Sequence, residues 1–154
     1  MNSYRVQRVH RIEEWAEQHF LDHHGIVYTY IDTDHEKAIT DDFFGPDQSP
    51  ICHPGVKPAD WHNYENCSMA TAAYMMGLIY RYRVEKDPVA LERARRSLGA
   101  IRYIYEMGEQ LEEGFLPKIY GDKFSLETST DQVLYVMYAL DAFHPHATAA
   151  EQKE

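Results

Sequence analysis

Two stretches of this chain carry no charged residue over several helical turns. Residues 68–80 and residues 132–140 contain only apolar, small and uncharged polar side chains. A helix that is apolar on every side is surrounded by protein, whereas a surface helix carries charges along one face. We therefore expect both stretches to form interior helices, and the fold must supply elements that cover them.

The two remaining helical segments are amphipathic. In residues 3–24, apolar residues recur at spacings of three and four between charged residues, and Gly25 is a typical C-terminal stop. In residues 88–111, Asp87 is a typical N-cap and Pro88 occupies the first helical position. The order amphipathic, buried, amphipathic, buried predicts an all-α fold of two consecutive helical hairpins, in which outer helices shield inner ones.

A long connection separates the first predicted helix from the second. Residues 25–62 are rich in Asp, Gly and Pro, and long loops in compact domains usually carry function. Within it, residues 26–31 combine β-branched and aromatic residues and predict a short strand. We expect residues 1–145 to form a single α-helical domain and residues 146–154 to form a disordered tail.

Charge and hydropathy exclude two classes of partner. The net charge of −10 repels phosphate backbones, and no basic stripe offsets it, so we expect no nucleic-acid binding. The longest nearly apolar run, residues 69–80, is shorter than the roughly 20 residues that span a bilayer. The first residues lack the apolar core of a signal peptide. We expect no membrane association and a cytoplasmic location.

Polar and aromatic residues gather directly before the two uncharged helices, in residues 60–67 and 118–132. The carboxylates of these lead segments are Asp60, Glu65, Glu127 and Asp131. If both helices are interior and parallel, the two lead segments lie at the same end of the molecule. Paired carboxylates cleave glycosidic bonds, one as acid and one as base or nucleophile. Flat side chains that suit stacking on sugar rings are Trp61, Tyr64 and Tyr120.

The same residues also have a purely structural interpretation. Asn63 and Ser129 are common N-cap types, and Ser129 with Gln132 has the spacing of a capping box. Glu65 and Asp131 fall in first helical turns, where the helix dipole favours negative charge. The acids therefore either cap helices or perform chemistry. For each residue taken singly, capping is the more common role; the presence of such clusters only before the uncharged helices is what points towards chemistry.

Several short motifs between residues 60 and 143 resemble a known superfamily. They are ENCSMA at residues 65–70, YRY at 80–82, KDPVAL at 86–91, GFLPK at 114–118 and STDQ at 129–132. These motifs are similar to those of the six-hairpin (α/α)6 toroid glycosidases, and most like those of proteins related to unsaturated glucuronyl hydrolases. The resemblance implies that the N-terminal ends of the inner helices form a carbohydrate cleft.

The resemblance also implies roles for individual residues. Asp131 is the first candidate for the general acid or base, and Glu65 is the second. The candidates for saccharide binding are Trp61, His62, Tyr64, Tyr120 and Gln132. We expect neither a cofactor nor a metal.

The number of helices departs from the resemblance. A toroid of this superfamily has twelve helices, and this chain predicts four. The resemblance therefore implies that the remaining helices of a toroid, or further copies of this chain, cover the inner helices. Since an inner helix without cover exposes an apolar flank, we expect the isolated chain to associate or to be poorly soluble.

Two other functions compete with cleavage of a glycosidic bond. Stacked helical hairpins also serve as non-catalytic scaffolds or protein-interaction modules, although a scaffold has little use for the long acidic and aromatic loop. A zinc-stabilised module would use Cys52, His53, His62 and Cys67, but this spacing matches no known zinc motif. The other histidines, His23 and His24 among them, show no grouping and are predicted to be surface residues.

Overall fold

The computed structural model describes residues 3–44 and 55–153, which are predominantly helical. The helices are α1 (Ser3–His19), α2 (Pro58–Tyr64), α3 (Cys67–Glu85), α4 (Pro88–Glu109) and α5 (Thr130–Phe143). Two short strands, β1 (Ile119–Tyr120) and β2 (Lys123–Phe124), form an antiparallel hairpin. The predicted all-α class is confirmed. None of the helices in the described ranges combines the length and the apolar character needed to cross a membrane.

The helices α3 and α5 lie side by side and run in the same direction. At their N-terminal ends, the side-chain amide of Gln132 donates to the backbone carbonyl of Glu65, at 3.2 Å. At their C-terminal ends, the guanidinium of Arg83 donates to the backbone carbonyl of Ala142, at 2.7 Å. The helix α4 follows α3 after a short turn and packs along it as the second arm of a hairpin. The structure therefore places both lead segments at one end of the molecule.

The boundaries of α4 follow from its local sequence. The carboxylate of Asp87 accepts the backbone N–H of Val89 at 3.0 Å, and Pro88 is the first helical residue. Near the other end, Gly108 lets the next loop cross the helix closely. A Cβ at this position would lie 1.9 Å from the carbonyl oxygen of Phe115. The predicted start and end of this helix are confirmed.

Two clusters of buried residues form the core. The first lies between α3, α4 and α5 and contains Ala72, Met75, Leu78, Ile79, Ala94, Ile101, Val136, Ala139, Ala142 and Phe143. The second lies towards the lead segments and contains Ile26, Tyr64, Cys67, Ala100, Ile104, Met107, Ile119 and Tyr120. The alanines of the first cluster allow close approach of the helices. The second cluster supports the residues of the candidate site.

The uncharged helices are only partly covered. The exposed apolar face of α5 consists of Leu134, Tyr135, Met137, Tyr138 and Leu140. On α3, the side chain of Tyr80 is 55% exposed. The prediction that both helices are interior on every side is therefore wrong for the described residues. The reason is that α4 packs on α3 and contacts α5 only slightly, while no described element covers the outer flank of α5.

The first helix ends at His19, five residues earlier than predicted. The carboxylate of Asp22 accepts the backbone N–H groups of His24 and Ile26, at 2.9 and 2.8 Å. This local side-chain bonding offers the backbone an alternative to the helix. The chain turns here, and Gly25 adopts a φ of +83° within the turn.

Charged side chains attach α1 to the other helices. Glu13 is 6% exposed and accepts hydrogen bonds from the guanidinium groups of Arg81 and Arg93. Glu17 accepts from Arg96. In contrast, the apolar residues of α1 that we expect in the core are largely at the surface, among them Val9, Ile12 and Trp15. The apolar face predicted for this helix is therefore only partly covered: Val9, Ile12 and Ala16 line an open groove against α3.

The segment 26–31 is not the predicted strand. Its backbone makes one isolated bridge, between Leu21 and Val27. Other donors bond to the helices: the N–H of Val27 donates to the hydroxyl of Thr71 at 2.9 Å, and that of Thr29 donates to the carbonyl of Asn63 at 2.7 Å. The backbone of the segment thus divides its bonds between residues 20–22, α2 and α3, and forms no continuous ladder with a second strand.

The C-terminal segment 146–153, for which the sequence predicts disorder, makes defined contacts. The carboxylate of Glu151 pairs with the guanidinium of Arg95 at 3.0 Å. Arg95 also donates to the backbone carbonyl of His146, at 3.2 Å. These bonds attach the segment to α4.

Replacing Glu13 by Gln tests how α1 is held. The change removes the buried carboxylate shared by Arg81 and Arg93, although Arg81 keeps Glu85 and Asp87 and Arg93 keeps Glu14 as partners. We therefore expect a loss of about 2 kcal/mol in the free energy of unfolding, the size of a hydrogen bond to a charged group. The control is Glu14→Gln, which removes a largely exposed partner of Arg93 and costs less than about 1 kcal/mol. Denaturant titration measures both values. Equal effects of the two substitutions would contradict the account.

Candidate functional site at the N-terminal ends of α3 and α5

The lead segments form one surface, which we call the head surface, from residues 60–66, 118–122 and 127–132. Its first part is carried by α2, which starts with Pro58 at a helix-compatible position. The N–H of Ala59 donates to the carboxylate of Asp41 at 3.1 Å, which anchors this short helix to the preceding loop. Its last residue, Tyr64, is buried in the second core cluster. These anchors fix the positions of Asp60 and Trp61.

Glu65 lies between α2 and α3 and is fully engaged. Its carboxylate pairs with the ammonium of Lys118 at 2.6 Å and accepts the hydroxyl of Tyr120 at 3.2 Å. Tyr120 is 1% exposed. Burial, followed by the negative charge of Glu65, raises the pKa of Tyr120 well above its usual range. The phenol therefore stays protonated and serves as a hydrogen-bond donor to the carboxylate.

Asp131 occupies the first turn of α5 and is exposed to solvent. A hydrogen bond from Ser129 lowers the pKa of the Asp131 carboxyl below 3.8, with smaller contributions from backbone N–H groups and from the positive charge of Lys118. The carboxylate is therefore ionised at neutral pH. Lys118 contacts Glu65 and also acts on Asp131, so one ammonium group stands within electrostatic reach of both acids.

Gln132 connects the two helix ends. Its amide nitrogen donates to the carbonyl of Glu65 and to the hydroxyl of Ser129, each at 3.2 Å. The predicted capping box is not formed: Ser129 is the N-cap residue of α5, but its side chain caps no backbone N–H and accepts the Gln132 amide instead. The amide oxygen of Gln132 is buried and has no hydrogen-bond partner among the described residues. Such an oxygen is costly, and an added donor at this position would stabilise the structure.

Asp60 differs from the other acids in its environment. It is half-buried beside Gly121, the turn residue of the β1–β2 hairpin. Burial raises the pKa of Asp60, although the positive charges of Lys57 and Lys123 oppose the shift. Among the head-surface acids, Asp60 therefore keeps its proton to a higher pH than an ordinary aspartate.

Most of the predicted sugar-binding residues are engaged in the protein itself. The ring of Trp61 stacks on that of Tyr120, with centroids 5.3 Å apart, and Tyr120 is buried. Tyr64 is buried and its hydroxyl donates to Asp22 at 3.1 Å. His62 stacks on Phe44 at 4.9 Å. Only Trp61 and His62 of the predicted aromatic set are partly accessible to a ligand in this structure.

Asn63 has a different role from the predicted N-cap. Its side chain is buried, accepts the N–H of Ile39 at 3.1 Å and donates to the carbonyl of the same residue at 2.8 Å. The residue at the N-cap position of α3 is Asn66, whose side chain makes no capping bond. Asn63 therefore fastens the long loop to α2 instead of starting α3.

Of the four residues considered for a zinc module, Cys52 and His53 lie outside the described residues, so only His62 and Cys67 are located. Cys67 is completely buried, and burial raises the pKa of its thiol to about 12. A metal ligand must be a thiolate, so this thiol is unsuited to that role.

Two cavities formed by described residues lie away from the head surface. One, of about 270 Å³, is an apolar groove between α1 and α3. The other, of about 250 Å³, lies between Glu17 and the first turns of α4. Neither is lined by the lead segments, so the cleft implied by the resemblance is not formed by these two cavities.

Lys118 and Asp22 are the site residues that sequence reasoning misses. Lys118 lies between the buried residues Pro117 and Ile119, just before β1. A lysine in such a position is typical of an edge strand and does not by itself indicate a site. Asp22 follows α1 at a position typical of a turn. Their contacts with Glu65 and Tyr64 depend on the packing of distant segments.

Comparison of the chain with protein-family models, with curated sequences and with solved structures gives no match in any of the three.

The buried thiol of Cys67 gives a direct test of the packing below the head surface. In a Cys52→Ser variant, Cys67 is the only remaining cysteine. A pKa of about 12, compared with an ordinary 9.0, leaves about a thousandfold less thiolate near neutral pH. We expect the native variant to react far more slowly with a disulfide reagent than the urea-unfolded variant. Equal rates would show that the second core cluster is open.

Proposed function

We propose that the head surface binds a saccharide and that its carboxylates cleave a glycosidic bond. The observation that carries the proposal is that one surface contains Asp131, whose pKa is lowered, and Asp60, whose pKa is raised, with Lys118 held by Glu65 and acting on Asp131. Two acids in different electrostatic surroundings are what this chemistry requires, because one must donate a proton while the other is ionised. The motifs of the lead segments, similar to those of toroid glycosidases, point to the same substrate class.

The electrostatics favour distinct roles for the acids. Asp131 is exposed and ionised, which suits a base that activates water. Asp60 has a raised pKa, which suits a general acid. Glu65 is held by Lys118 and Tyr120, and we assign it to positioning Lys118 beside the substrate rather than to proton transfer. Trp61, which is partly exposed, supplies an aromatic surface for a sugar ring.

The exposed apolar face of α5 indicates which kind of partner the chain binds. Since an exposed apolar face of this kind marks an association surface, we propose that further helices cover it, either those of a toroid or those of a second copy of this chain. Helices packed against the exposed face of α5 would lie next to Asp131, at the N-terminal end of this helix. They would therefore form one side of a cleft, and the head surface would form the other.

A non-catalytic interaction module is the second candidate function. The observation in its favour is the same exposed face of α5, together with cavities that lie away from the lead segments. In such a module Asp60 and Asp131 would act only as first-turn residues of their helices, and Glu65 only as a partner of Lys118 and Tyr120. The two candidates differ in what substitution of Asp131 does.

Asp131→Asn tests the enzymatic proposal. We expect kcat to fall by at least about a hundredfold on responsive members of a panel of oligosaccharides, including some that end in an unsaturated uronic acid. Because the pKa of Asp131 is lowered, the base stays ionised at neutral pH, and the acid limb of the pH profile lies below that of an ordinary aspartate. The control is Asp141→Asn, an exposed acid at the other end of the same helix. Equal turnover by the two variants, or no turnover of any panel member by the native chain, would contradict the proposal.

Tyr138→Lys tests the association surface. Tyr138 is 60% exposed in the middle of the apolar face, and a charge there should oppose burial against another chain. We expect the native chain to associate as its concentration rises and the variant to sediment as a monomer. Leu126→Lys is the control, because Leu126 is apolar and 81% exposed but lies outside α5. A native chain that sediments as a monomer at every concentration would contradict this proposal.

A further inference from the structure

Three metal-ligating side chains from separate parts of the sequence meet beside α4. They are His23 and His24, in the turn after α1, and Asp122, in the turn of the β1–β2 hairpin. One ligand atom from each of the three lies within 4.8 Å of the others. The sequence shows no grouping for the two histidines, because their third partner comes from a distant hairpin.

The turn that carries the histidines is ordered by its own backbone bonds. The carboxylate of Asp22 accepts the N–H groups of His24 and Ile26, at 2.9 and 2.8 Å. The N–H of Gly25 donates to the carbonyl of Asp22 at 3.0 Å, and the φ of Gly25 is +83°. The ring of His24 also stacks on that of Tyr103 of α4, with centroids 3.9 Å apart and planes at 14°. His24 is therefore held in place before any ligand binds.

The carboxylate is presented by an equally defined turn. Gly121 has a φ of +64° and Asp122 follows it with a negative φ, as in a two-residue type II′ hairpin. Among the described residues, no lysine or arginine forms an ion pair with Asp122. Asp22 lies in the same turn as the histidines, so two carboxylates stand near the imidazoles. The Arg96 side chain, which packs against Gly25, has its guanidinium paired with Glu17.

We propose that His23, His24 and Asp122 bind a divalent transition-metal ion of the zinc class. Two imidazoles and one carboxylate suit zinc and its neighbours in the first transition row, whereas calcium and magnesium prefer oxygen ligands throughout. Zinc binds these atoms at about 2.1 Å, so two ligands of one ion can be at most about 4.2 Å apart. The separations of up to 4.8 Å close by small rotations, which the exposed side chains of His23 and Asp122 allow.

Such an ion would join the turn that carries His23 and His24 to the β1–β2 hairpin, two segments that are far apart in the sequence. The histidine turn leads into Ile26, and the hairpin carries Ile119 and Tyr120; all three residues belong to the second core cluster. Metal binding would therefore stabilise the region beneath the head surface, since an ion that binds only the folded chain raises the free energy of unfolding. The inference stands independently of any activity on saccharides.

Calorimetric titration of the full chain with zinc chloride, after treatment with a chelator, tests this site. We expect one ion per chain, and affinity at least tenfold lower in His23→Gln and in Asp122→Asn. Both residues are exposed, so the variants should keep the circular dichroism spectrum of the native chain. The control is His35→Gln, since His35 is an exposed histidine beside Asp32, away from the cluster, and it should bind as the native chain does.

A second measurement distinguishes this site from other zinc ligands in the chain. Zinc should raise the Tm of the native chain and of Cys52→Ser, but not that of Asp122→Asn. If the native chain takes up no zinc, or if Asp122→Asn and His23→Gln bind it as tightly as the native chain, the proposal is overturned. Loss of binding in Cys52→Ser, with binding retained in Asp122→Asn, would overturn it as well.

Discussion

The parallel packing of α5 against α3 is the constraint on which the rest of the structure depends. A side-chain bond to a backbone carbonyl joins the two helices at each end, from Gln132 to Glu65 and from Arg83 to Ala142. Between these bonds, small residues allow the helices to pack closely. Because both helices start at the same end, their lead segments share one surface. Because α4 covers α3 and hardly contacts α5, the outer flank of α5 is exposed. The packing of α5 on α3 therefore accounts for both the candidate site and the association surface.

The sequence predicts those parts of the fold that local chemistry decides. The start of α4 depends on Asp87 and Pro88, which are adjacent, and the two uncharged helices are recognised by composition alone. The docking of α1 could not be predicted in the same way. Its apolar periodicity suggests a buried face, but the buried residue is Glu13, which is stable there only because arginines from α3 and α4 reach it. Such compensation depends on residues far along the chain and is invisible to a periodic pattern.

The candidate site shows the same division. Carboxylates near the starts of the two uncharged helices could be located from sequence, and the structure brings these helix ends together. Asp131 lies in the first turn of α5 as predicted, whereas Glu65 precedes the N-cap residue of α3. The aromatic residues could not be assigned from residue type, because a tyrosine suited to stacking on a sugar is equally suited to a core. Tyr120 and Tyr64 fill the second core cluster and use their hydroxyls on Glu65 and Asp22. The cluster of His23, His24 and Asp122 joins a loop to a distant hairpin, and only tertiary structure reveals it.

Distances between paired spin labels on α3 and α5 test the parallel arrangement most directly. In a Cys52→Ser background, where Cys67 is buried, one label is placed at Val84, near the end of α3. The second is placed at Asp141 or at Asp131, at the two ends of α5. The parallel arrangement predicts that the Val84 to Asp141 distance is the shorter, by up to about 15 Å, the rise of roughly ten helical residues. A shorter distance from Val84 to Asp131, or equal distances, would contradict it.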